Sequence, residues 1–272
     1  MTKKICLATS GSFGIREYDQ LIAFKKAGFD GFFVQYLSRR HIKEMRAAAD
    51  ELGLYFQSIH AEFHGMADFW KEGEAGEKVV ENLIETVYAT AEFNVPLVVM
   101  HAYIGFYTGE KPTELGLTRF GRIVAAAEKT GVKIAVENTE GEEFLEAMLD
   151  AYHSENVGFC WDTGHETCYL TRKSVEKYND RLFGTHIDDN LGVRSADGKI
   201  FWTDDLHLLP FDGIADWKRN ARMLRNFDGP LTAELKFCDV PDCPEHDYRA
   251  MKFEDYLSEV TARLEKIESL IE

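Results

Sequence analysis

VGFCWDTGH, residues 157–165, opens as a buried strand does, with apolar residues and a glycine, then turns polar at Asp162, Thr163 and His165. A helix N-cap accounts for Asp162, because a carboxylate there accepts backbone N–H bonds. It leaves His165 unexplained. The same kind of ending recurs along the chain: YFQSI delivers His60, LVVM His101, IAV Glu137, LFGT His186 and LTA Glu234. Capping favours Asp, Ser, Thr and Asn, whereas this set is mostly His and Glu. Six strands that each end in a potential metal ligand point to one site fed by many strands.

These endings belong to a series of eight apolar runs: KICLATS from Lys3, GFFVQY from Gly31, YFQSIH from Tyr55, PLVVMH from Pro96, KIAVEN from Lys133, VGFCWD from Val157, LFGTHI from Leu182 and PLTAEL from Pro230. Amphipathic stretches lie between them, among them REYDQLIAFKKAG, HIKEMRAAADELG, EKVVENLIETVYATAEFN and LTRFGRIVAAAEKTG, several closed by the Gly or Asn expected after a helix. Eight β-then-α units in 272 residues predict an α/β fold, a (β/α)8 TIM barrel, with residues 1–272 as a single domain. A doubly wound open sheet is the alternative. In a barrel, the C-terminal strand ends converge on one rim, where such residues meet.

Basic residues number 31 and acidic ones 47, so 31 − 47 gives a net charge of −16. That field repels a phosphate backbone, and no nucleic acid is expected as a partner. MTKKICLATS lacks the apolar run and cleavage site of a signal peptide, and no stretch approaches the roughly 18 apolar residues of a membrane span. A soluble, cytoplasmic protein without membrane association is expected, and composition does not choose between a monomer and a homo-oligomer. The cysteines Cys6, Cys160, Cys168, Cys238 and Cys243 are odd in number and form no C-x-x-C pair, so reduced, buried thiols are expected.

Two Glu, one Asp and a His at the ends of strands 5 to 8 make a mixed oxygen and nitrogen site. Such a site suits Mn2+, Zn2+, Co2+, Fe2+ or Mg2+ better than a thiolate-loving ion. Three carboxylates cannot sit unpaired together in a dry pocket. Pairing of each with Lys or Arg is the competing explanation, and only Lys236 and Arg194 lie close in sequence.

The pieces VENTEG around Glu137, WDTGH around Asp162 and His165, HIDDN around His186, DLHLLPFDGIADW from Asp205 to Trp217 and AEL around Glu234 together resemble the xylose isomerase-like TIM-barrel superfamily. That superfamily contains sugar-phosphate isomerases and epimerases, tagatose and psicose 3-epimerases, hydroxypyruvate isomerase, inosose dehydratase and endonuclease IV. The resemblance covers roughly residues 55 to 237 and does not single out one member. It implies Glu137, Asp162, His186 and Glu234 as ligands of one divalent metal ion, with His165 bonding a substrate oxygen or taking a second ion. It implies a metal-dependent isomerase or epimerase of a small sugar or sugar phosphate, acting through a metal-stabilised cis-enediolate with Glu137 and Glu234 as proton-transfer groups. An inosose dehydratase-like lyase is a close variant of the same chemistry.

His60, His101, Asp205 and His207 complete a set that also resembles the multinuclear site of endonuclease IV, so a metal-dependent phosphodiester hydrolase is the second expectation, with Asp205 and His207 as additional ligands. Against it stand the charge and the acidic, aromatic rim segments GFYTGEKPTELG and AEFHGMADFWKEGEAGE. In the sugar-acting reading His60, His101, Glu143, Trp70 and Arg194 join His165 as substrate-binding candidates. Glu143 follows Glu137 by six residues, as a substrate-contacting glutamate does in the epimerases, or is a helix N-terminal acid favoured by the dipole. Phe63, Met66, Phe69 and Trp70 form an apolar wall over a polyol ring or anchor their loop in a hydrophobic cluster. Arg194 is the nearest candidate for the arginine those epimerases carry after the strand 7 histidine.

Overall fold

The computed structural model describes residues 3–238 and 246–271. Eight strands, β1 (Ile5–Ala8), β2 (Gly31–Gln35), β3 (Tyr55–His60), β4 (Leu97–His101), β5 (Lys133–Glu137), β6 (Val157–Asp162), β7 (Leu182–His186) and β8 (Leu231–Ala233), coincide with the eight apolar runs. Each is parallel to its neighbour in the order β7-β6-β5-β4-β3-β2-β1-β8. The two ends of that order meet, which excludes the open doubly wound sheet. Ile187 N donates to Thr232 O at 2.8 Å and Glu234 N to Ile187 O at 3.3 Å. Below them the Thr185 hydroxyl fills in, donating to Pro230 O at 3.3 Å and accepting from Thr232 N at 3.2 Å. The chain is a nearly closed (β/α)8 barrel.

Helices α1 (Glu17–Ala27), α2 (Arg39–Leu52), α3 (Glu74–Glu92), α4 (Glu114–Thr130), α5 (Glu142–Ala151), α6 (Thr163–Cys168), α7 (Arg172–Tyr178), α8 (Trp217–Met223) and α9 (Phe253–Ile271) are those formed among the described residues. Their ends follow local chemistry: Ser38 and Thr113 accept from His41 N and Gly116 N to start α2 and α4, and Gly53 and Gly131 end them. One apolar stripe of each long helix is buried, such as Val80, Leu83 and Val87 on α3.

Inside the barrel, Leu97, Val99, Ala135 and Cys160 form a small apolar cluster closed by Phe183. Strand side chains alternate with period two, so the face that carries Leu97 and Val99 carries His101 next, and Ala135 and Cys160 are followed on theirs by Glu137 and Asp162. An apolar floor therefore lies directly beneath a ring of ionisable residues.

Among the cysteines, Cys6, Cys160 and Cys168 are free and buried, Cys238 is only partly buried, and Cys243 lies outside the described residues. No helix among the described residues is long and apolar enough to cross a membrane.

Candidate metal centre

The turn from β6 into α6 explains why Asp162 and His165 stand three residues apart. Asp162 caps the helix, its Oδ1 accepting from His165 N at 2.6 Å, which leaves Oδ2 buried without a hydrogen-bond partner. Asn138 fixes that strand end: its Nδ2 donates to Asp162 O at 2.8 Å and its Oδ1 accepts from Asp162 N at 2.7 Å. Gly164 is required by space, since a Cβ there would lie 2.1 Å from Asp188 Oδ1 and 2.4 Å from Asn190 Nδ2. The cap and the candidate ligand are thus the same residue, serving with different oxygens.

Glu137, Asp162, His186 and Glu234 each place a ligand atom within 4.8 Å of the others. Donors about 2.1 Å from one ion lie up to about 4 Å apart, so a slight contraction brings all four onto a common centre. His186 Nδ1 lies 2.9 Å from Glu137 Oε1 and 2.8 Å from Glu234 Oε2. On the far side, Glu137 Oε2 lies 3.1 Å from His60 Nε2 and 3.3 Å from His101 Nε2. Phe33 stacks on His186 with ring centroids 4.7 Å apart, and Phe63 on His101 at 4.9 Å, so apolar rings hold the imidazoles in place.

Burial works against charge on Glu137, yet His186, His101 and His60 outweigh it and hold its carboxyl well below the usual range. Glu234 follows the same pattern, opposed by burial and drawn down to about 2 by His186. Asp162 goes the other way: burial, reinforced by the carboxylates of Asp188 and Glu137, pushes it well above the ordinary value. Burial disfavours the His165 cation, but Asp162 and Asp205 raise it well above an ordinary histidine. A cluster that draws positive charge onto buried imidazoles has a field that favours a cation. The unpartnered, buried Asp162 Oδ2 fits such a ligand, because buried polar atoms rarely go unsatisfied. Pairing with Lys or Arg is not what holds these carboxylates: their close ion-pair partners are histidines, with Lys236 4.0 Å from Asp205 at the edge.

A second group joins Asp205 and His207 to Asp188, again with ligand atoms within 4.8 Å. Asp205 Oδ2 lies 2.7 Å from His207 Nε2 and 3.6 Å from His165 Nε2, while Asp188 Oδ2 lies 3.1 Å from His207 Nδ1. Asp188 was not anticipated, although two residues after His186 it shares that strand's inward parity. Its neighbour Asp189 faces the other way and ties down the following loop, accepting from Trp217 Nε1 at 2.9 Å. Glu140 was also missed. It is 4 % exposed, accepts from Gly105 N at 2.8 Å, and burial pushes its carboxyl up to about 7.

Two of the expected substrate contacts lie apart from the cluster. Trp70 is 2 % exposed, with its indole N–H donating to Ala102 O at 2.8 Å and its ring against Phe144, so with Met66 and Phe69 it belongs to the hydrophobic core. Phe63 alone of that group faces the histidines. Glu143 does not join the cluster; its half-exposed carboxylate pairs with Lys111 at 2.8 Å. Arg194 stands at the rim, its backbone N–H bonded to Asp204 and its guanidinium to Thr203 O at 3.4 Å.

Residues 21–250 match the family described as "Xylose isomerase-like TIM barrel". An uncharacterised protein, y4fM, of Sinorhizobium fredii is 31 % identical over an alignment of 177 residues, with 59 % of this chain and 53 % of that protein covered, so the chain spans about half the length of the curated relative it matches. Among solved structures, 3-keto-D-glucoside 4-epimerase from E. coli superposes with a TM-score of 0.72 at 18 % identity, over 97 % of this chain and all of that one (100 %). The IolI protein, solved with a zinc atom, gives 0.72 at 16 % identity over 98 % of each chain. At these identities the likeness establishes the fold.

Proposed function

Because the chain belongs to the xylose isomerase-like TIM-barrel family, we propose that it is a metal-dependent isomerase or epimerase of a small sugar or sugar phosphate, built as one barrel domain over residues 1–272 and working in the cytoplasm. The observation that carries this reading is the ring of Glu137, Asp162, His186 and Glu234 on four consecutive strand ends. These four would hold one divalent ion, and the sugar epimerase among the structural relatives points the same way.

Bound there, such an ion supplies Lewis acidity to a carbonyl and the adjacent hydroxyl of an open-chain sugar. The chain's own residues do the rest. Glu234, with a side chain 22 % exposed and held ionised by His186, is the base that reaches the acidic C–H. Glu137 is 0 % exposed, so a proton it takes or returns passes through His60 or His101, the imidazoles against its Oε2. His165, fixed through Nδ1 to Asn138 O at 3.0 Å, orients a substrate oxygen with its other nitrogen. Removing a proton from one face and returning it to the neighbouring carbon gives isomerisation; returning it to the opposite face gives epimerisation. Loss of hydroxide in place of the return gives dehydration.

Exchange of a substrate C–H with deuterated water reads the shared step whatever the product. Glu137→Gln and Glu234→Gln should each lower it by about 100- to 10,000-fold. A second reading, phosphodiester hydrolysis, draws on the group of Asp188, Asp205 and His207. Metal-dependent nicking of abasic-site DNA, lost in Glu137→Gln, without C–H exchange from any sugar would replace the first reading by the second.

A further inference from the structure

Beside the candidate centre lies a cavity of about 530 Å3 that the reading above does not use. Asp205 and Lys236 form the part nearest the centre: Asp205 touches His165 and His207, and Lys236, two residues beyond Glu234, donates to Asp205 O at 3.1 Å. Phe201 and Trp202 line it as well, 40 % and 72 % exposed. Phe201 is fixed by rings from the loop after β4, with centroids 6.2 Å from Phe106 and 6.0 Å from Tyr107, while Ile200 N donates to the Tyr107 hydroxyl at 2.6 Å. Arg194, Ser195 and Thr203 add polar groups to the same walls.

An exposed indole beside a reaction centre can serve as a recognition surface, since it offers a broad apolar face and one N–H donor. The matching chemistry is a pyranose ring, with C–H groups on its faces and hydroxyls around its edge. The face suits Trp202 and Phe201; the hydroxyls suit Ser195, Thr203 and the two basic side chains. The volume falls in the range of about 300–1,000 Å3 that small-molecule sites occupy. A small sugar held by its reacting end at the ligand ring needs none of this space. We propose that the substrate is a glycosylated sugar, with a second pyranose ring in this cavity joined by a glycosidic bond to the sugar whose C–H is exchanged. The assignment rests on the isomerase or epimerase reading of the centre and adds its substrate class.

The test compares D-fructose and D-tagatose with isomaltulose, maltulose and lactulose, each a ketose carrying a second pyranose ring, using the metal-loaded full chain. At least one glycosyl-ketose should show kcat/KM for deuterium exchange about tenfold above its free ketose, and Trp202→Ala should collapse that ratio towards one through KM. Binding is read separately from the Trp202 indole N–H resonance, one of four in the chain and identified by its loss in Trp202→Phe. It should shift saturably with a glycosyl-ketose and not with D-fructose. A shift without exchange from any sugar would retire the activity and keep the cavity assignment. The assignment falls, with the activity intact, if free ketoses exchange as well as glycosyl-ketoses and Trp202→Ala changes nothing; it also falls if no glycosyl-ketose moves the resonance. A preference for D-fructose 6-phosphate that is lost in Lys236→Ala would give the cavity to an anionic tail. A dimer that Trp202→Ala turns into a monomer would give it to a second copy of the chain. Either result overturns the proposal.

Discussion

Glu140→Gln isolates one buried ionisation from the cluster around it. The native carboxyl is 4 % exposed, and burial lifts it from 4.5 to about 7, opposed by the Gly105 N–H. Between those values the folded chain holds a proton that the unfolded chain has released. Stability from this group is therefore complete below the unfolded value and lost as pH rises through the folded one. At about 1.4 kcal/mol per pH unit the full loss is about 3 kcal/mol, of which about 2 to 3 falls between roughly pH 5 and pH 8. Glutamine keeps the oxygen that accepts from Gly105 and removes the ionisation. Urea unfolding of the metal-free proteins at both pH values should show the variant gaining on the native chain by that amount as pH rises. With a slope near 3 kcal/mol per molar urea, the relative midpoint shift is about 0.8 M. Other groups cancel in the difference. A difference flat to within about 0.5 kcal/mol would mean that Glu140 ionises on folding like an exposed acid, and the account of its environment would be wrong.

His165→Ala should retain its metal while losing deuterium exchange, because the four candidate ligands remain; loss of metal together with activity would make His165 a ligand. Asp162→Asn removes a carboxyl that burial and Asp188 push well above its usual value, so the metal-free variant should melt at or above the native chain's temperature. The same variant should lose most of the native chain's rise in melting temperature on adding ion, a rise worth about 2.7 kcal/mol at a hundredfold excess over Kd. Gly164→Ala drives a methyl against Asp188 and Asn190 and should cost at least about 2 kcal/mol in chemical denaturation, with loss of exchange activity; a chain as stable as the native one would show that the α6 turn has room to spare.

The barrel was legible because its strands are buried on both faces and finish on polar residues, so VGFCWD or LVVMH marks a strand, its direction and its end at once. The inward parity that groups Leu97, Val99 and His101 extends to Glu137 and Asp162, and the ring of candidate ligands could be read the same way. Asp188 escaped because HIDDN sets two acids side by side, and sequence does not tell which faces inward once β7 has ended. Glu143 stands apart from the cluster because the spacing from Glu137 runs through a turn. Gly141, at φ 76°, redirects the chain into α5, and the side chain emerges towards Lys111. Trp70 was ambiguous in principle: an amphipathic ring in a loop serves equally as a wall or an anchor, and only the carbonyl of Ala102, which accepts its N–H, decides.

The join between β7 and β8 is the barrel's thinnest seam, held by Ile187 and the Thr185 hydroxyl where the other neighbouring strands pair in parallel ladders, two of them through a register shift. His186 stands on one side of it and Glu234 on the other, 2.8 Å apart. Unzipping at this line pulls two of the four clustered residues apart while the helices and six of the strands stay packed. Thermal inactivation should therefore precede the loss of helical signal. Amide hydrogens of residues 185–187 and 231–234 should exchange through an opening of lower free energy than those of β4 and β5, making the site the first part of the molecule that warming takes apart.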